Sequence, residues 1–283
     1  MPYALNGTAR IYYEVMGKPA SPAILLVNGF SAQLIGWQDA FCRLVAGHGF
    51  SVVRFDNRDV GLSQQFDSEN SFDPRYTIQD MAGDGFAVMD DLGVDRFHLV
   101  GQSMGGMIAQ SMAGAQPDRV SSLTLVFTAP FITADWLPPL ASVSDMRFEP
   151  LNRFAFIEAI LEQERLNASD VYPFREDWVR TFAGDSYDRG YFPRGMERQL
   201  HAMLARLGEP FTDHGRLTMP VVLIHGREDI RVRVEASIEL ARLIPHSEVH
   251  LYPSMGHVLP ETLWTEFADI IARTAHQAGD QRG

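Results

Sequence analysis

Phe97-His98-Leu99-Val100-Gly101-Gln102-Ser103-Met104-Gly105 is the stretch that decides how this chain folds. Phe97 to Val100 is a short apolar run of the kind needed by a strand buried on both faces. Met104 to Ala115 has no proline and one β-branched residue, Ile108, and it stops at Gln116-Pro117-Asp118, so it reads as a helix. Ser103 therefore falls at a strand-to-helix junction. A sharp bend there forces its central residue towards positive φ, and Gly101 and Gly105, two positions either side, let the backbone double back without a clash. Such a bend presents a hydroxyl for attack. The pentapeptide alone is a weak signal, because a plain βα turn also uses small residues for close packing, so its partners have to be found elsewhere.

A serine hydroxyl barely ionises near neutrality and needs a base within hydrogen-bond reach, itself oriented by a third group. Met219-Pro220-Val221-Val222-Leu223-Ile224-His225-Gly226 reads as a buried strand, with Asp229 in the loop beyond it. Ser247 to Tyr252 reads as one more strand, followed by Pro253-Ser254-Met255-Gly256-His257. In a parallel sheet the loops holding Ser103, Asp229 and His257 share the carboxyl edge, where ligands gather. Glu228 is a rival to Asp229 of the same chemistry. His225, His246 and His250 read as structural or surface residues.

With the order serine, acid, histidine on three such loops, the chain resembles the α/β-hydrolases over nearly its whole length. The resemblance makes Ser103 the nucleophile, His257 the general base and later acid, and Asp229, in Gly226-Arg227-Glu228-Asp229, the group that fixes the imidazole tautomer. It also implies two backbone donors for the oxyanion, the amides of Met104 and of Phe30, the latter in Asn28-Gly29-Phe30 after the strand Ala23 to Val27. Relatives usually carry histidine where Asn28 stands. In Phe55-Asp56-Asn57-Arg58-Asp59-Val60-Gly61-Leu62-Ser63, Asp59 replaces the family's usual glycine, a variant similar to esterases of the aclacinomycin methylesterase type. Asp56 and Arg58 read as organisers of that loop rather than as chemical participants.

Arg10 to Val15, Ala23 to Val27, Ser51 to Phe55, Phe97 to Val100 and Ser121 to Phe127 read as strands, with helices over Gln33 to Ala46, Thr77 to Leu92 and Met104 to Ala115. This alternation predicts an α/β fold with a mostly parallel, doubly wound sheet. After about Pro130 it stops. Leu151 to Arg165, Arg175 to Phe182 and Arg194 to Leu207 have helical spacing, and breakers at Trp136-Leu137-Pro138-Pro139 and Glu209-Pro210 mark the junctions. Residues 130–215 are thus expected to form an inserted helical cap on a core of residues 1–129 and 216–283. The cap segment is rich in aromatic residues, among them Trp136, Phe156, Trp178, Phe182 and Tyr191, which favours a substrate with an apolar body.

A chain of 283 residues can hold one such domain with its insertion, and 46% hydrophobic residues suit a buried sheet. A formal charge of −12 argues against nucleic acid or anionic membrane as partners. No apolar run approaches the length of a spanning helix, and no basic n-region precedes an apolar core, so a cytoplasmic protein is expected. Cys42, the one cysteine, excludes internal disulfides and a thiolate metal site and fits a packed helix face. There is no G-x-G-x-x-G after a strand, no Walker lysine and no H-E-x-x-H, and carboxylate pairs such as Asp90-Asp91 lack metal-ligand spacing, so neither cofactor nor metal is expected. Monomer and homodimer both stay open. The leading expectation is a serine carboxylic-ester hydrolase acting on a small to medium apolar ester. Carbon-carbon bond hydrolase, lactonase and cofactor-free perhydrolase chemistry are alternatives on the same residues, and a small-ligand binding protein is the alternative outside catalysis.

Overall fold

Eight strands, β1 (Tyr3–Asn6), β2 (Ala9–Met16), β3 (Ala23–Val27), β4 (Ser51–Phe55), β5 (Phe97–Gln102), β6 (Val120–Val126), β7 (Val221–Gly226) and β8 (Glu248–Tyr252), form one sheet in the computed structural model, which describes residues 2–66, 76–137 and 148–280. Their spatial order is β1-β2-β4-β3-β5-β6-β7-β8. The β1–β2 and β2–β4 pairs are antiparallel, and every pair from β4 to β8 is parallel. Helices α1 (Asp39–Gly47), α2 (Ile78–Asp91) and α3 (Met104–Ala115) alternate with the first strands. Helices α4 (Arg153–Asn167), α5 (Glu176–Gly190) and α6 (Pro193–Leu204) are inserted between β6 and β7, and α7 (Glu235–Leu243) and α8 (Trp264–Asp280) complete the chain.

Strands β3, β4 and β7 are buried at every position because both faces of the sheet are covered. Leu25, Leu99, Leu123 and Leu223 pack into the layer built with α2, α3 and α7, while Ile24, Leu26, Val100, Val222 and Ile224 pack on α1 and α8. Neighbours in sequence point to opposite layers, as the pleat requires, and each such side chain contributes about 1.5–3 kcal/mol of burial. Helix α2 starts with a capping box. Thr77 Oγ1 accepts from Asp80 N (3.2 Å) and Asp80 Oδ2 accepts from Thr77 N (2.7 Å), satisfying two donors that the helix itself cannot.

Three expectations need correction. The sheet has an additional edge strand, Tyr3–Asn6, paired with β2 across a turn in which Gly7 has φ +60°. The helix expected over Gln33 to Ala46 is broken into a 3-10 turn, Leu34–Gly36, and α1, because the Trp37 carbonyl between them accepts from the Arg54 guanidinium and from Cys42 Sγ. Helix α5 runs on to Gly190, well past Phe182. The Pro138-Pro139 breaker lies outside the described residues.

The chain leaves β3 towards β4 on one side and returns with β5 on the other. Where the strand order reverses, the loops after β3 and β5 diverge and open a crevice at the carboxyl edge of the sheet.

Candidate active site

Ser103 stands at that crevice with φ 54° and ψ −125°, a conformation costing a non-glycine residue about 1–3 kcal/mol. Its backbone is held there by Ser103 N donating to Val126 O (3.0 Å) and by Thr128 Oγ1 and Gly106 N donating to Ser103 O (2.7 and 2.9 Å). The two flanking glycines are required by space. A Cβ on Gly101 would lie 2.3 Å from the Gly105 carbonyl oxygen, and one on Gly105 would lie 2.2 Å from that of Val27.

Asp229 follows β7 and is buried. Its Oδ1 accepts from the amides of Arg231 and Val232, both at 2.8 Å, and its Oδ2 faces His257 Nδ1 at 2.7 Å and His225 Nε2 at 3.3 Å. Burial pushes this carboxyl up, but the charge of His257 and the hydrogen bonds from both imidazoles outweigh it and hold the group well below the usual carboxylate range. An ionised carboxylate only accepts, so His257 Nδ1 carries the proton and Nε2 is left as the acceptor. That nitrogen lies 3.0 Å from Ser103 Oγ. The order Asp229, His257, Ser103 is therefore a continuous hydrogen-bonded line. The rival acid Glu228 is exposed. His225 is fully buried, with Nε2 donating to Val232 O (2.9 Å) and Nδ1 meeting Ser237 Oγ (2.6 Å), so it underpins the acid loop.

The insertion reaches this line from α4. Asn167 accepts from His257 N through its carbonyl (2.8 Å) and from Arg231 Nε through Oδ1 (2.7 Å), tying the histidine and acid loops to one residue. One turn earlier, Glu164 lines the cavity. Its carboxyl is pushed up by burial, against the opposing charge of His257 and the hydrogen bond from Asn167.

The loop after β3 lies beside Ser103. A Cβ on Gly29 would come within 3.1 Å of Ser103 Cβ. Asn28, fully buried, orders this loop: Oδ1 accepts from Gly29 N (3.0 Å) and from Gln102 Nε2, and Nδ2 donates to Gln33 O (2.6 Å). Asn28 thus joins the loop to the bend that carries Ser103. Phe30 packs its ring on Phe148 at the cavity wall, and Met104 is the first residue of α3. Asp56 accepts from Leu34 N (2.7 Å) and Leu62 N (2.9 Å), Arg58 forks onto Asp84, and Asp59 receives Arg198, so the loop after β4 is held by charge-assisted bonds on both sides. Burial raises the Cys42 thiol to about 11, as a packed residue requires.

Ser103 and His257 open onto a cavity of about 400 Å³. Its walls are mainly apolar, with Trp37, Phe127 and Trp264 from the core and Phe156, Trp178 and Phe182 from the insertion. Sequence reasoning missed Gln33, Asn167 and Gln199. Each acts through a hydrogen bond distant in sequence, which periodicity does not record.

Fold and site together define the class. The model of the alpha/beta hydrolase fold family matches residues 22–262, and the chain belongs to that family. Among curated relatives it is 28% identical over 278 residues to a rhodomycin D methylesterase from Streptomyces peucetius, covering 90% of this chain and 91% of that one. It is also 28% identical over 253 residues to a putative carbamate hydrolase from Variovorax paradoxus, covering 87% and 89%. Among solved structures it superposes on a meta-cleavage product hydrolase from Pseudomonas fluorescens IP01 with a TM-score of 0.78 at 19% identity, covering 98% of each chain. An enol-lactonase from Burkholderia xenovorans LB400 gives a TM-score of 0.74 at 22% identity, covering 98% and 99%. These relatives make the chain a hydrolase of the esterase type. No helix of the described residues is long and apolar enough to cross a membrane.

Proposed function

We infer that the protein is a serine carboxylic-ester hydrolase that works through an acyl-enzyme. The observation carrying this reading is the line from Asp229 Oδ2 through His257 to Ser103 Oγ, with links of 2.7 and 3.0 Å. Ser103 Oγ attacks the ester carbonyl carbon while its proton passes to His257 Nε2. The carbonyl oxygen becomes an anion that accepts from the Phe30 and Met104 amides, and each such donor accounts for about 10²–10³ in rate where it has been removed from comparable sites. The C–O bond to the alcohol breaks and the alcohol leaves with the proton from Nε2. Water, deprotonated by the same nitrogen, then attacks the acyl carbon, and Ser103 Oγ recovers the proton as it departs.

In this reading residues 130–215 are the cap on a core of residues 1–129 and 216–283, and the aromatic walls select an ester with an apolar body of small to medium size. The name of the methylesterase relative supports carboxylic-ester chemistry and not a particular substrate. The test is turnover of p-nitrophenyl esters of rising chain length by the wild type and by Ser103→Ala. The expected result is measurable wild-type hydrolysis that falls by at least about 10³-fold in S103A. Equal turnover by the two proteins would remove Ser103 from the mechanism, and wild-type turnover confined to lactones or vinylogous diketones would move the reaction to another bond.

A further inference from the structure

We propose that Gln199, on helix α6 of the insertion, is a positioning residue that sets the oxyanion loop, so that the cap helps build the reaction centre as well as roofing it. The inference rests on the ester-hydrolase reading and concerns three consecutive peptide planes. In the plane between Asn28 and Gly29, the Gly29 N–H donates to Asn28 Oδ1 (3.0 Å). In the plane between Phe30 and Ser31, the Ser31 N–H donates to Gln199 Oε1 (2.9 Å). The plane between them has its carbonyl, Gly29 O, accepting from Ala32 N (3.3 Å). Its N–H, that of Phe30, donates to no protein acceptor among the described residues. The loop is thus pinned on both sides of one free donor, beside Ser103.

Ser31 has φ +58°, a left-handed conformation that a serine holds only where its surroundings enforce it. Gln199 supplies that enforcement. It is fully buried, and its other end is fixed by Nε2 donating to Arg58 O (2.8 Å). The preceding residue, Arg198, forks onto Asp59 with two bonds of 2.8 Å, and a Cβ on Gly195 would lie 2.4 Å from Asp59 O, so this part of α6 sits tightly on the loop after β4. A preorganised donor is worth most where it need not reorganise as charge develops. Losing the Gln199 acceptor frees the plane carrying the Ser31 N–H to rotate and, with it, the Phe30 amide.

The test compares Gln199→Leu, Gln199→Asn and Gln199→Glu with wild type and S103A on one p-nitrophenyl ester, together with inhibition by 2-phenylethylboronic acid. The Ser103 oxygen adds to boron in that inhibitor, giving a tetrahedral anion that imitates the intermediate. Q199L and Q199N, which remove or withdraw the acceptor, are expected to lose about 10–100-fold in kcat with KM within about threefold of wild type. The boronic acid should weaken by the same factor, and Q199E, whose buried, protonated carboxyl keeps an acceptor for Ser31 N–H and a donor for Arg58 O, should recover most of the loss. Should Q199L fail to fold, Q199N and Q199E carry the comparison. Unchanged kcat in Q199N, a rise in KM alone, or equal losses in Q199E and Q199N would overturn the proposal while S103A remains inactive. Full activity in S103A would instead overturn the reading on which it rests.

Discussion

The sheet and the helical insertion are held by different forces. Core strands β3, β4 and β7 are buried at every residue, and their side chains divide between two apolar layers. In the insertion, α4 buries only Leu161 and Asn167, and α5 only Val179, Ala183, Gly184 and Ser186. Helix α6 adds Ala202 and Met203 to the apolar layer of the core, and the rest of the attachment is polar and directional: Arg198 to Asp59, Arg189 to Asp56 (2.6 Å), Gln33 Nε2 to Ser186 O (2.7 Å) and Gln199 to Ser31. Apolar burial tolerates small displacements, whereas a forked guanidinium fixes both position and orientation. A segment seated in this way can carry residues that must meet the reaction centre at a set angle.

Asp59→Gly breaks the comparison most severely. It relaxes a φ of +69°, yet it removes the carboxylate onto which Arg198 forks, where both side chains are wholly inaccessible. Denaturant unfolding is expected to show a loss of about 3–5 kcal/mol, with part of it recovered when Arg198→Met replaces the buried guanidinium as well. A near-neutral D59G would mean that the insertion is seated by apolar packing after all.

A smaller effect should appear with pH. Burial is the main cause holding His98, on β5 against the Phe50 ring, and His214, where the insertion rejoins the core, down at about 4 from an ordinary 6.5. Above pH 6.5 both folded and unfolded states keep these rings neutral. As pH falls from there towards 4, the unfolded chain takes up protons that the native state refuses, so stability drops through that window and levels off below it. Each ring accounts for at most about 3 kcal/mol. Urea midpoints measured between pH 7 and pH 4 check the sign, and midpoints independent of pH in that range would contradict it.

Much of this architecture was legible because it is repetitive. Ala23–Val27 and Ser51–Phe55 match the apolar runs residue for residue, and Met104–Ala115 ends at the proline that stops it. The strand-edge rule also placed Ser103, Asp229 and His257 in neighbouring loops, where the structure finds them in hydrogen-bond sequence. What escaped has no periodic signature. Tyr3–Asn6 is too short to show alternation, and the break in front of α1 depends on a carbonyl shared with Arg54 from another strand. Asp59 was visible as a departure from the family pattern, but its partner lies 139 residues away.

The smallest expected effect is at the bend. Ser103→Gly removes the Cβ from a conformation that glycine adopts freely, so the variant should gain about 1 kcal/mol and melt roughly 2 °C higher while losing activity. A lower melting temperature would mean that Ser103 is not strained in the folded protein.

The central claim is that Ser103 Oγ is the nucleophile, and covalent capture tests it most directly. Diisopropyl fluorophosphate reacts with an activated serine by forming an O–P bond and expelling fluoride. Peptide mapping by mass spectrometry should find a single adduct on the peptide containing Ser103, and none on the S103A protein. An adduct on another residue that silences ester hydrolysis, or hydrolysis that continues after Ser103 is fully modified, would contradict the account.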